Sequence, residues 1–387
     1  MKKKKILGIT GIRSDYDLLS NLYLELNNDK DFELKLIVGN AHLSKTYGNS
    51  IENIKADGLE ILSKIESLID SDSKTSRIKS LSILLQNSVD IVSMYNPDLI
   101  IYAGDRFEVI VGALLGSYLE IPTIHFYGGD HGTDGHIDNS IRHATSKLST
   151  FHFVTLLEHK ERLIHLGEDK ERIKVVGSIA IDRFINCPPT EIKSVLNNLS
   201  IEKNKSKYCI LIYHPSVGEE AICARYFEII IKALIDTNIY TFINVPNTDP
   251  GNKSLLDVID LYKNNNNLFF FKNMDRKNFI PLFKNAEFII GNSSAGILEA
   301  PSIPIPAINV GERQKGRLSV KNVIFVKNEY NLICQAINKA LSVEFKESIR
   351  NIKNPYGNGK STELAMKYIK ETDFIKYVRK TEDPLTL

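Results

Sequence analysis

Short apolar runs of strand length alternate with longer amphipathic segments along this chain, and that alternation constrains its fold more than any other feature. The runs lie at 6–10, 32–38, 99–103, 123–127, 209–213, 240–245, 268–271 and 288–290. Such an alternation is typical of parallel sheets whose strands are joined by crossover helices. Because the runs are apolar on both faces, helices should cover both sides of each sheet. The sequence therefore predicts the α/β class with two doubly wound, Rossmann-like domains.

The two series of strands are separated by a stretch that contains Pro188-Pro189 and continues rich in Asn and Lys. Residues of this kind are typical of a connection between domains. We therefore expect an N-terminal domain over 1–185, a linker over 186–207 and a C-terminal domain over 208–362. In the last stretch, 363–387, apolar residues recur at roughly helical spacing from Glu363 to Arg379, which predicts a closing helix.

Charge and cysteine content disfavour several classes of function. Among 387 residues, 49 Lys and Arg stand against 47 Asp and Glu, so a formal charge of +2 offers no broad basic surface for nucleic acid. No stretch approaches the roughly 20 apolar residues of a membrane span, and the apolar run after the N-terminal lysines is too short for a signal peptide. The four cysteines form no CxxC pair, which argues against disulfides and structural zinc. We expect a cytoplasmic protein that binds neither nucleic acid nor membrane.

Ligands of open parallel sheets bind beyond the carboxyl ends of the strands, so the polar residues after each apolar run are the site candidates. Arg13 follows the first run, where its guanidinium could bind a phosphate; a surface arginine is the alternative. Ser14 and Asp17 resemble a capping box for the next helix. This turn has no GxGxxG motif, which disfavours a nicotinamide or flavin cofactor. Asp105 follows the run 99–103 and could be a helix cap or a catalytic base.

The segment 125–143 is the densest polar stretch of the chain and combines four histidines with three aspartates. Its glycines free the backbone, and Asp130, Asp134 and Asp138 place three carboxylates near one loop, which suits proton transfer. A divalent metal is the alternative, but the spacing matches neither HxxxH nor HExxH. The segment therefore predicts proton chemistry without a metal.

Strand ends in the second half of the chain suit a nucleotide. His214 could contact a phosphate or act as a general acid, although a lone histidine is more often only hydrogen-bonded, and Asn247 is most simply a turn residue. Gly-Asn-Ser-Ser at 291–294 leads into a short helix whose hydroxyls and free amides could bind a diphosphate, while Glu299 could accept ribose hydroxyls. The basic loop 311–317 adds cations that could face the same anion. The alternative is that Gly-Asn-Ser-Ser only caps a helix and that the basic loop is only solvated. Their conjunction on successive strand ends favours a nucleotide-diphosphate site.

Taken together, these segments resemble the hydrolysing UDP-N-acetylglucosamine 2-epimerases of the sialic-acid and legionaminic-acid pathways. The resemblance runs from Thr10 to about Val326 and rests on five motifs, namely Thr-Gly-Ile-Arg-Ser-Asp-Tyr at 10–16, Gly-Asp-Arg-Phe-Glu at 104–108, Asp-Asn-Ser-Ile-Arg-His-Ala at 138–144, Gly-Asn-Ser-Ser at 291–294 and Arg-Gln-Lys-Gly-Arg at 313–317. It implies a GT-B fold with a cleft between its domains, UDP held mainly by the second domain, and a last helix that crosses back to the first. It also implies a homo-oligomer, a dimer or tetramer, with neither a metal nor another cofactor.

The chemistry that the resemblance implies is an anti elimination. A base removes the C2 proton of a UDP-sugar, UDP leaves C1, and water adds to the resulting 2-acetamidoglucal, which gives UDP and the free 2-epimeric sugar. A carboxylate can take so weakly acidic a proton only if the departing diphosphate is strongly stabilised. By resemblance, proton transfer falls to Asp105 and Asp138, and His214 contacts the phosphates as a further catalytic group; Asp130 is an additional catalytic candidate. The candidates for nucleotide binding are Arg13, Asn247, Met274, Phe279, Ser293, Ser294, Glu299 and Arg313. By resemblance His42 lies near the sugar, and the further candidates for sugar binding are Arg106, Tyr127, Arg142 and His143.

One position departs from the family pattern. Members that act on N-acetylglucosamine commonly read His-Ile-Glu-Gly-Gly-Glu, whereas His-Phe-Tyr-Gly-Gly-Asp at 125–130 places Tyr127 where the catalytic glutamate would stand. Either Asp130 takes over the role of that glutamate, or the sugar carries an altered group at C4 or C6, as in UDP-N,N'-diacetylbacillosamine. The rival functions are a non-hydrolysing epimerase, a GT-B glycosyltransferase and a UDP-sugar sensor without turnover.

Overall fold

A computed structural model describes residues 3–71, 73–132, 135, 137–188, 190–201, 207–215, 218–219, 221–245, 252–272 and 274–384, the side chain of Lys74 excepted. Contacts between these residues divide the chain into two compact units. The first unit comprises most of the chain as far as Arg183 and resumes at Tyr356, and the second runs from Phe184 to Pro355. Each unit contains one all-parallel sheet, so the predicted α/β class with two Rossmann-like sheets is confirmed.

The first unit is built on a seven-stranded sheet in the order β3-β2-β1-β4-β5-β6-β7. Its strands are β1 (Lys4–Thr10), β2 (Phe32–Gly39), β3 (Ile61–Ile65), β4 (Leu99–Ala103), β5 (Thr123–Phe126), β6 (Phe151–Val154) and β7 (Ile173–Val175). Its first helices are α1 (Arg13–Asn28), α2 (Ile51–Ala56), α3 (Lys74–Tyr95), α4 (Phe107–Tyr118), α5 (Ile137–Leu148), α6 (Leu157–His165) and α7 (Ile179–Ile185), with 3-10 turns at Asn40–Leu43 and Lys170–Arg172. The successive residues Ile6 and Leu7 of β1 are fully buried in different apolar clusters, so both faces of the sheet are covered.

The second unit repeats this plan with six strands in the order β10-β9-β8-β11-β12-β13. Its strands are β8 (Tyr208–Ile212), β9 (Tyr240–Asn244), β10 (Leu268–Phe271), β11 (Ile289–Gly291), β12 (Ala307–Val310) and β13 (Val323–Val326). Its helices are α8 (Ile192–Asn198), α9 (Cys223–Asp236), α10 (Asn252–Tyr262), α11 (Arg276–Lys284), α12 (Ala295–Leu298), α13 (Tyr330–Leu341) and α14 (Val343–Ile349), with a 3-10 turn at Ala300–Ser302. Within the described ranges, no helix combines the length and the apolar character needed to cross a bilayer.

The stretch predicted as a linker, 186–207, contains the helix α8. Val195 and Leu196 of this helix are fully buried, and they share an apolar cluster with Phe283 of α11. The polar composition of the stretch concealed this helix, because only two of its side chains enter the core. Much of the segment is therefore an integral part of the second unit.

The chain returns to the first unit through α15 (Ser361–Glu371). The Nδ2 group of Asn21 in α1 donates to the Thr362 hydroxyl at 2.8 Å, and the Thr362 N–H donates to the buried carboxylate of Asp182 at 2.5 Å. The predicted closing helix extends only to Glu371. Thr372 has the extended backbone of a strand, with φ −92° and ψ 129°, and a 3-10 turn follows at Phe374–Tyr377.

Buried ion pairs and hydrogen bonds attach the terminal segment, residues 374–384, to the rest of the first unit. Glu168 is 1% exposed and accepts hydrogen bonds from His152 Nε2 at 2.8 Å and from Lys380 Nζ at 2.5 Å. Arg172, 3% exposed, pairs with Glu382 at 2.8 Å. Burial alone would raise the pKa of Glu168, but the bonds from His152 and Lys380 outweigh it and lower the pKa to about 2.

Replacing Lys380 should therefore destabilise the protein. Lys380→Ala leaves Glu168 buried with less compensation, and we expect a loss of about 2 kcal/mol of unfolding free energy near neutral pH. Because the folded-state pKa of Glu168 lies below its ordinary value of 4.5, the contribution is present above pH 4.5 and is lost as the pH falls toward 2. Urea denaturation measures the loss, with Lys376→Ala as the control, since the Lys376 side chain is 75% exposed. Equal effects of the two substitutions would contradict this account.

Candidate active site

The carboxyl end of β4 carries Asp105, and buried hydrogen bonds fix the backbone before it. Gly104 donates its N–H to the Phe126 carbonyl at 3.1 Å and accepts from His125 Nε2 at 2.8 Å. The other ring nitrogen of His125 lies 2.9 Å from the Ser146 hydroxyl of α5. Burial lowers the pKa of His125 to about 3, so the ring is neutral and Nε2 carries the proton that the Gly104 carbonyl accepts. His125 thus connects the ends of β4 and β5 to α5.

Arg142 of α5 is the central cation of this group. Its side chain is 7% exposed and forms ion pairs with Asp105 and, at 3.6 Å, with Asp130. The strands β4 and β5 are adjacent and parallel, which is why the two acids that follow them reach the same guanidinium. Asp138 lies in the first turn of α5, four residues before Arg142 and hence on the same helix face. The structure therefore brings together Asp105, Asp130 and Arg142, three residues that the sequence singled out.

The loop after β5 rests on α6. Asp130 accepts from the His131 N–H at 2.9 Å, and its Oδ1 atom also lies 3.5 Å from His159 Nε2. The rings of His131 and His143 stack, with Nδ1 and Nε2 3.2 Å apart. Burial, followed by the charges of His131 and Arg142, lowers the pKa of His143. His159 was not a candidate from the sequence, because nothing near it in the chain marks it as a partner of Asp130.

Tyr127 has an unusual backbone conformation, and its hydroxyl is bonded to protein groups. Its φ is +64°, uncommon for an aromatic residue, and its hydroxyl donates to the Leu18 carbonyl at 3.1 Å and accepts from the Ala180 N–H at 3.2 Å. The Ser178 hydroxyl is a further neighbour at 3.4 Å. Burial raises the pKa of Tyr127 to about 12. Since these bonds join β5 to α1 and α7, the hydroxyl does not join the acids around Arg142.

His42 is also a structural residue here. It is fully buried, and its ring nitrogens lie 2.9 Å from the Thr10 hydroxyl and 2.8 Å from the Ser50 hydroxyl. Burial lowers the pKa of His42 to about 4, so the ring is neutral. Both nitrogens have protein partners, and the contact of His42 with the sugar stays a prediction.

Two buried acids beside Arg106 were missed by the sequence interpretation. Glu108 is 1% exposed, accepts from Asn40 Nδ2 and lies 3.6 Å from Arg106 Nε. Asp15, in the first turn of α1, is 7% exposed, and burial followed by the charge of Glu108 raises its pKa well above the ordinary value. The only signal in the sequence was the position of each acid just after a strand. Arg106 thus belongs to an acidic cluster at the ends of β1, β2 and β4.

Arg13 is the first residue of α1, and its Nε lies 3.5 Å from Asp17 in an ion pair. Its side chain is 29% exposed, which keeps the guanidinium accessible at the strand-to-helix turn. The predicted capping box is wrong: Ile12 is the N-cap residue, and no side chain caps the helix. The physical reason is that Ser14 already lies inside the first turn, so it cannot take the N-cap position.

In the second unit, Asn292 organises the end of β11. Its carboxamide accepts from the His214 N–H at 2.8 Å and donates to the His214 carbonyl at 2.7 Å, while its own carbonyl accepts from Arg313 at 3.1 Å and Gln314 at 3.0 Å. A Cβ on Gly291, whose φ is +129°, would lie 2.0 Å from the Ile212 carbonyl oxygen. Glycine is therefore required for β11 to run beside β8 and bring His214, Asn292 and Arg313 together.

The remaining nucleotide-binding candidates lie around this centre or on α11. Ser293 accepts from the Ala295 N–H at 3.3 Å, and Ser294 is the N-cap of α12. Burial raises the pKa of Glu299 to about 7, and its Oε2 atom has no hydrogen-bond partner among the described residues. Met274 and Phe279 pack in an apolar cluster beside β10 and α11, and their contact with uracil stays a prediction. Two candidates, Asn247 and Asp134, lie outside the described residues.

No group of three or more His, Cys, Asp or Glu side chains in the described part of the chain has the arrangement of a metal site. The first unit thus offers carboxylates fixed by a guanidinium, and the second offers hydroxyls, cations and one desolvated carboxyl. Such groups suit proton transfer in the first case and recognition of a phosphorylated, hydroxyl-bearing ligand in the second.

Comparison with known proteins gives consistent matches over nearly the whole chain. A family model described as UDP-N-acetylglucosamine 2-epimerase matches residues 24–370. The UDP-N,N'-diacetylbacillosamine 2-epimerase (hydrolyzing) of Legionella pneumophila is 34% identical over 95% of this chain and 96% of its own. The GDP/UDP-N,N'-diacetylbacillosamine 2-epimerase (hydrolyzing) of Campylobacter jejuni is 35% identical over 90% of each chain. The crystal structure of UDP-GlcNAc 2-epimerase from Neisseria meningitidis bound to UDP-GlcNAc has a TM-score of 0.78 at 18% identity, covering 95% of this chain and 100% of that one.

The close approach of the β5–α5 loop to α6 can be tested with a pair of glycine substitutions. Gly129 has φ +75°, and a Cβ there would lie 2.2 Å from the His159 carbonyl oxygen; Gly135 has φ +69° with no atom within 4 Å of such a Cβ. Both alanine variants are strained by the left-handed backbone, but only Gly129→Ala must also displace the loop. We expect it to lose about 2 kcal/mol more stability than Gly135→Ala in urea denaturation. Equal losses would mean that the loop does not pack on α6.

Proposed function

The chain belongs to the UDP-N-acetylglucosamine 2-epimerase family, and we propose that it is a hydrolysing 2-epimerase, which converts a UDP-2-acetamido sugar into UDP and the free 2-epimeric sugar. The observation that carries the proposal is the pair of carboxylates, Asp105 and Asp130, that the buried Arg142 holds at adjacent strand ends. Fixed carboxylates are what proton removal and return at one sugar carbon require. The names of the two relatives, both hydrolysing enzymes, support the choice of water as the second reactant.

In the proposed reaction, a carboxylate takes the C2 proton, a C1–C2 double bond forms, and the C1–O bond breaks with its electron pair leaving on UDP. Water then adds its oxygen to C1 and loses a proton, while a proton returns to C2 from the opposite face. Asp105, Asp130 and Asp138 of the first unit are the acids available for these transfers. Arg142 fixes two of them, which reduces the cost of bringing them into position in the transition state.

Nucleotide binding falls mainly to the second unit in this proposal, with Arg13 of the first unit as a further candidate. The hydroxyls of Ser293 and Ser294 and the guanidinium of Arg313 are groups that stabilise a diphosphate as negative charge builds on it. Glu299 presents a desolvated carboxyl that could accept two ribose hydroxyls. The Asn292 carboxamide, bonded twice to the His214 backbone, supports this proposal by keeping the phosphate-binding side chains in one place.

We further propose UDP-N,N'-diacetylbacillosamine as the preferred substrate over UDP-N-acetylglucosamine. Two relatives at 34% and 35% identity are named for that sugar. Tyr127 occupies the place of the family glutamate, and its hydroxyl is bonded to protein groups, so the surroundings of the sugar differ from those in enzymes that keep the glutamate. The Campylobacter jejuni relative is named for both GDP- and UDP-linked sugar, so both nucleotides belong in the test.

The deciding experiment is incubation with each candidate nucleotide sugar in deuterated water, followed by proton NMR of the anomeric and C2 positions. We expect free 2-epimeric sugar with deuterium at C2, together with the nucleoside diphosphate. A nucleotide-linked epimer would instead indicate a non-hydrolysing enzyme, and unchanged substrate would indicate a transferase or a sensor. Faster turnover of UDP-N-acetylglucosamine than of UDP-N,N'-diacetylbacillosamine would overturn the choice of sugar.

Asp105→Asn should abolish deuterium uptake at C2 while UDP still binds. The substitution keeps the size of the side chain but removes its capacity to carry a proton, and all the proposed nucleotide-binding groups except Arg13 lie in the other unit. We expect a loss of at least about 100-fold in turnover, the low end of what a general base contributes. Calorimetric titration with UDP provides the second measurement, and Asp90→Asn on the exposed side of α3 is the matched control. Weakened UDP binding would remove Asp105 from a purely catalytic role.

The affinity for UDP should depend on the ionisation of Glu299. Because burial raises its pKa to about 7, the carboxyl is mostly protonated at pH 6 and mostly ionised at pH 8. Only the ionised form can accept both ribose hydroxyls, so the affinity should fall by about tenfold from pH 8 to pH 6. Glu299→Gln removes this dependence, and the ratio of wild-type to variant affinity cancels the titration of UDP itself. A ratio that stays constant over this range would exclude Glu299 from the ribose site.

A further inference from the structure

Asp130 is held from several directions, and one of its partners has no assigned role. Arg142 and His143 approach it from α5, and His159 from α6, with Arg162 and Glu158 of the same helix beside His159. The neighbouring His131 donates its backbone N–H, and Asp105 of the β4 end shares Arg142. Among the described residues of α6, His159 is the only one whose ring faces the Asp130 carboxyl.

His159 is placed with little freedom to move. Its side chain is 7% exposed, and its backbone carbonyl lies against Gly129, the residue before Asp130. Arg162, one turn later in α6, donates to the Gly129 carbonyl. The first turn of α6 and the loop therefore pack as one piece, with His159 Nε2 3.5 Å from Asp130 Oδ1. Hydrogen bonds at active sites are often this long before a ligand is bound and shorten in the complex.

The other nitrogen of His159 decides which proton arrangement this pair can adopt. Nδ1 is buried and has no hydrogen-bond partner among the residues that the structure describes. Buried N–H groups without an acceptor are rarer in folded proteins than buried acceptors without a donor. The neutral ring therefore carries its proton on Nε2, where it faces Asp130. With that tautomer, His159 can only donate to the carboxyl, and a protonated Asp130 would have no acceptor on this side.

We propose that His159 is a positioning residue that keeps Asp130 in its carboxylate form, ready to accept a proton, by presenting an Nε2–H group to Oδ1. This inference rests on the proposed function for the use of Asp130, and it assigns the acid that serves as a base in a chain where Tyr127 replaces the family glutamate. Arg142 and His159 contact Asp130 from two helices and both favour its negative charge. His159 acts through Asp130 and is not itself assigned a contact with the sugar.

The test compares His159→Phe, which keeps a ring but removes the donor, with His159→Gln, whose amide can donate from nearly the position of Nε2. Carbon-detected NMR of Asp-labelled protein, with Asp130→Asn to assign the signal, follows the Asp130 carboxyl through its titration. We expect its midpoint to rise by about one pH unit in His159→Phe and to stay near the wild-type value in His159→Gln. The acidic limb of the pH profile of kcat/KM should move in the same way, with UDP affinity unchanged in both variants.

The titration separates this inference from the proposed function. An unmoved midpoint in His159→Phe, or equal rises in both variants, would overturn the inference whether or not the protein turns over any sugar. A midpoint that responds as expected in a protein inactive on every nucleotide sugar would support the inference and overturn the proposed function. Long-range proton–nitrogen correlation on the wild-type chain gives an answer independent of the variants: a proton on Nε2 of His159 is expected, and a proton on Nδ1 would overturn the inference.

Discussion

The candidate catalytic group depends on the guanidinium of Arg142, which lies buried between Asp105 and Asp130. A buried cation is tolerated only with compensating charge, and two carboxylates so close together need a shared cation. Removing Arg142 would leave two neighbouring carboxylates without their shared cation, so the positions of both acids depend on the guanidinium. Their geometry in turn depends on His125, which joins α5 through Ser146 to the backbone that carries Asp105.

Burial gives three histidines of the first unit a common character. It lowers the pKa values of His125 to about 3 and of His42 and His159 to about 4, so all three rings are neutral near neutral pH. A neutral imidazole offers one donor and one acceptor in fixed directions. These rings therefore position other groups and do not themselves carry charge. The proton transfers proposed for the first unit therefore do not use these three rings.

Much of the fold could be predicted, because apolar runs of strand length are a local property of the chain. Strands β3, β6, β7, β12 and β13 were not singled out, since each has only three to five residues and several carry a polar residue such as His152 or Lys174. The helix α8 was hidden in the same way by polar neighbours. Searching the residues after each strand singled out Asp105, Asp130 and Arg313, whose functional roles stay predictions. The same search did not single out Asp15, Glu108 and His159, because their partners lie far away in the chain.

The sequence by itself determined the α/β class, the two series of strands and the polar residues that follow them, since these depend on apolar periodicity and on glycines at turns. Only the tertiary structure decided which polar groups became partners. Tyr127 and His42 were predicted to bind the sugar, and only the structure shows that their polar atoms are also bonded to protein groups on other elements. Strand order and depth of burial set such pairings, and both arise from residues far apart in the chain, so no local pattern can report them.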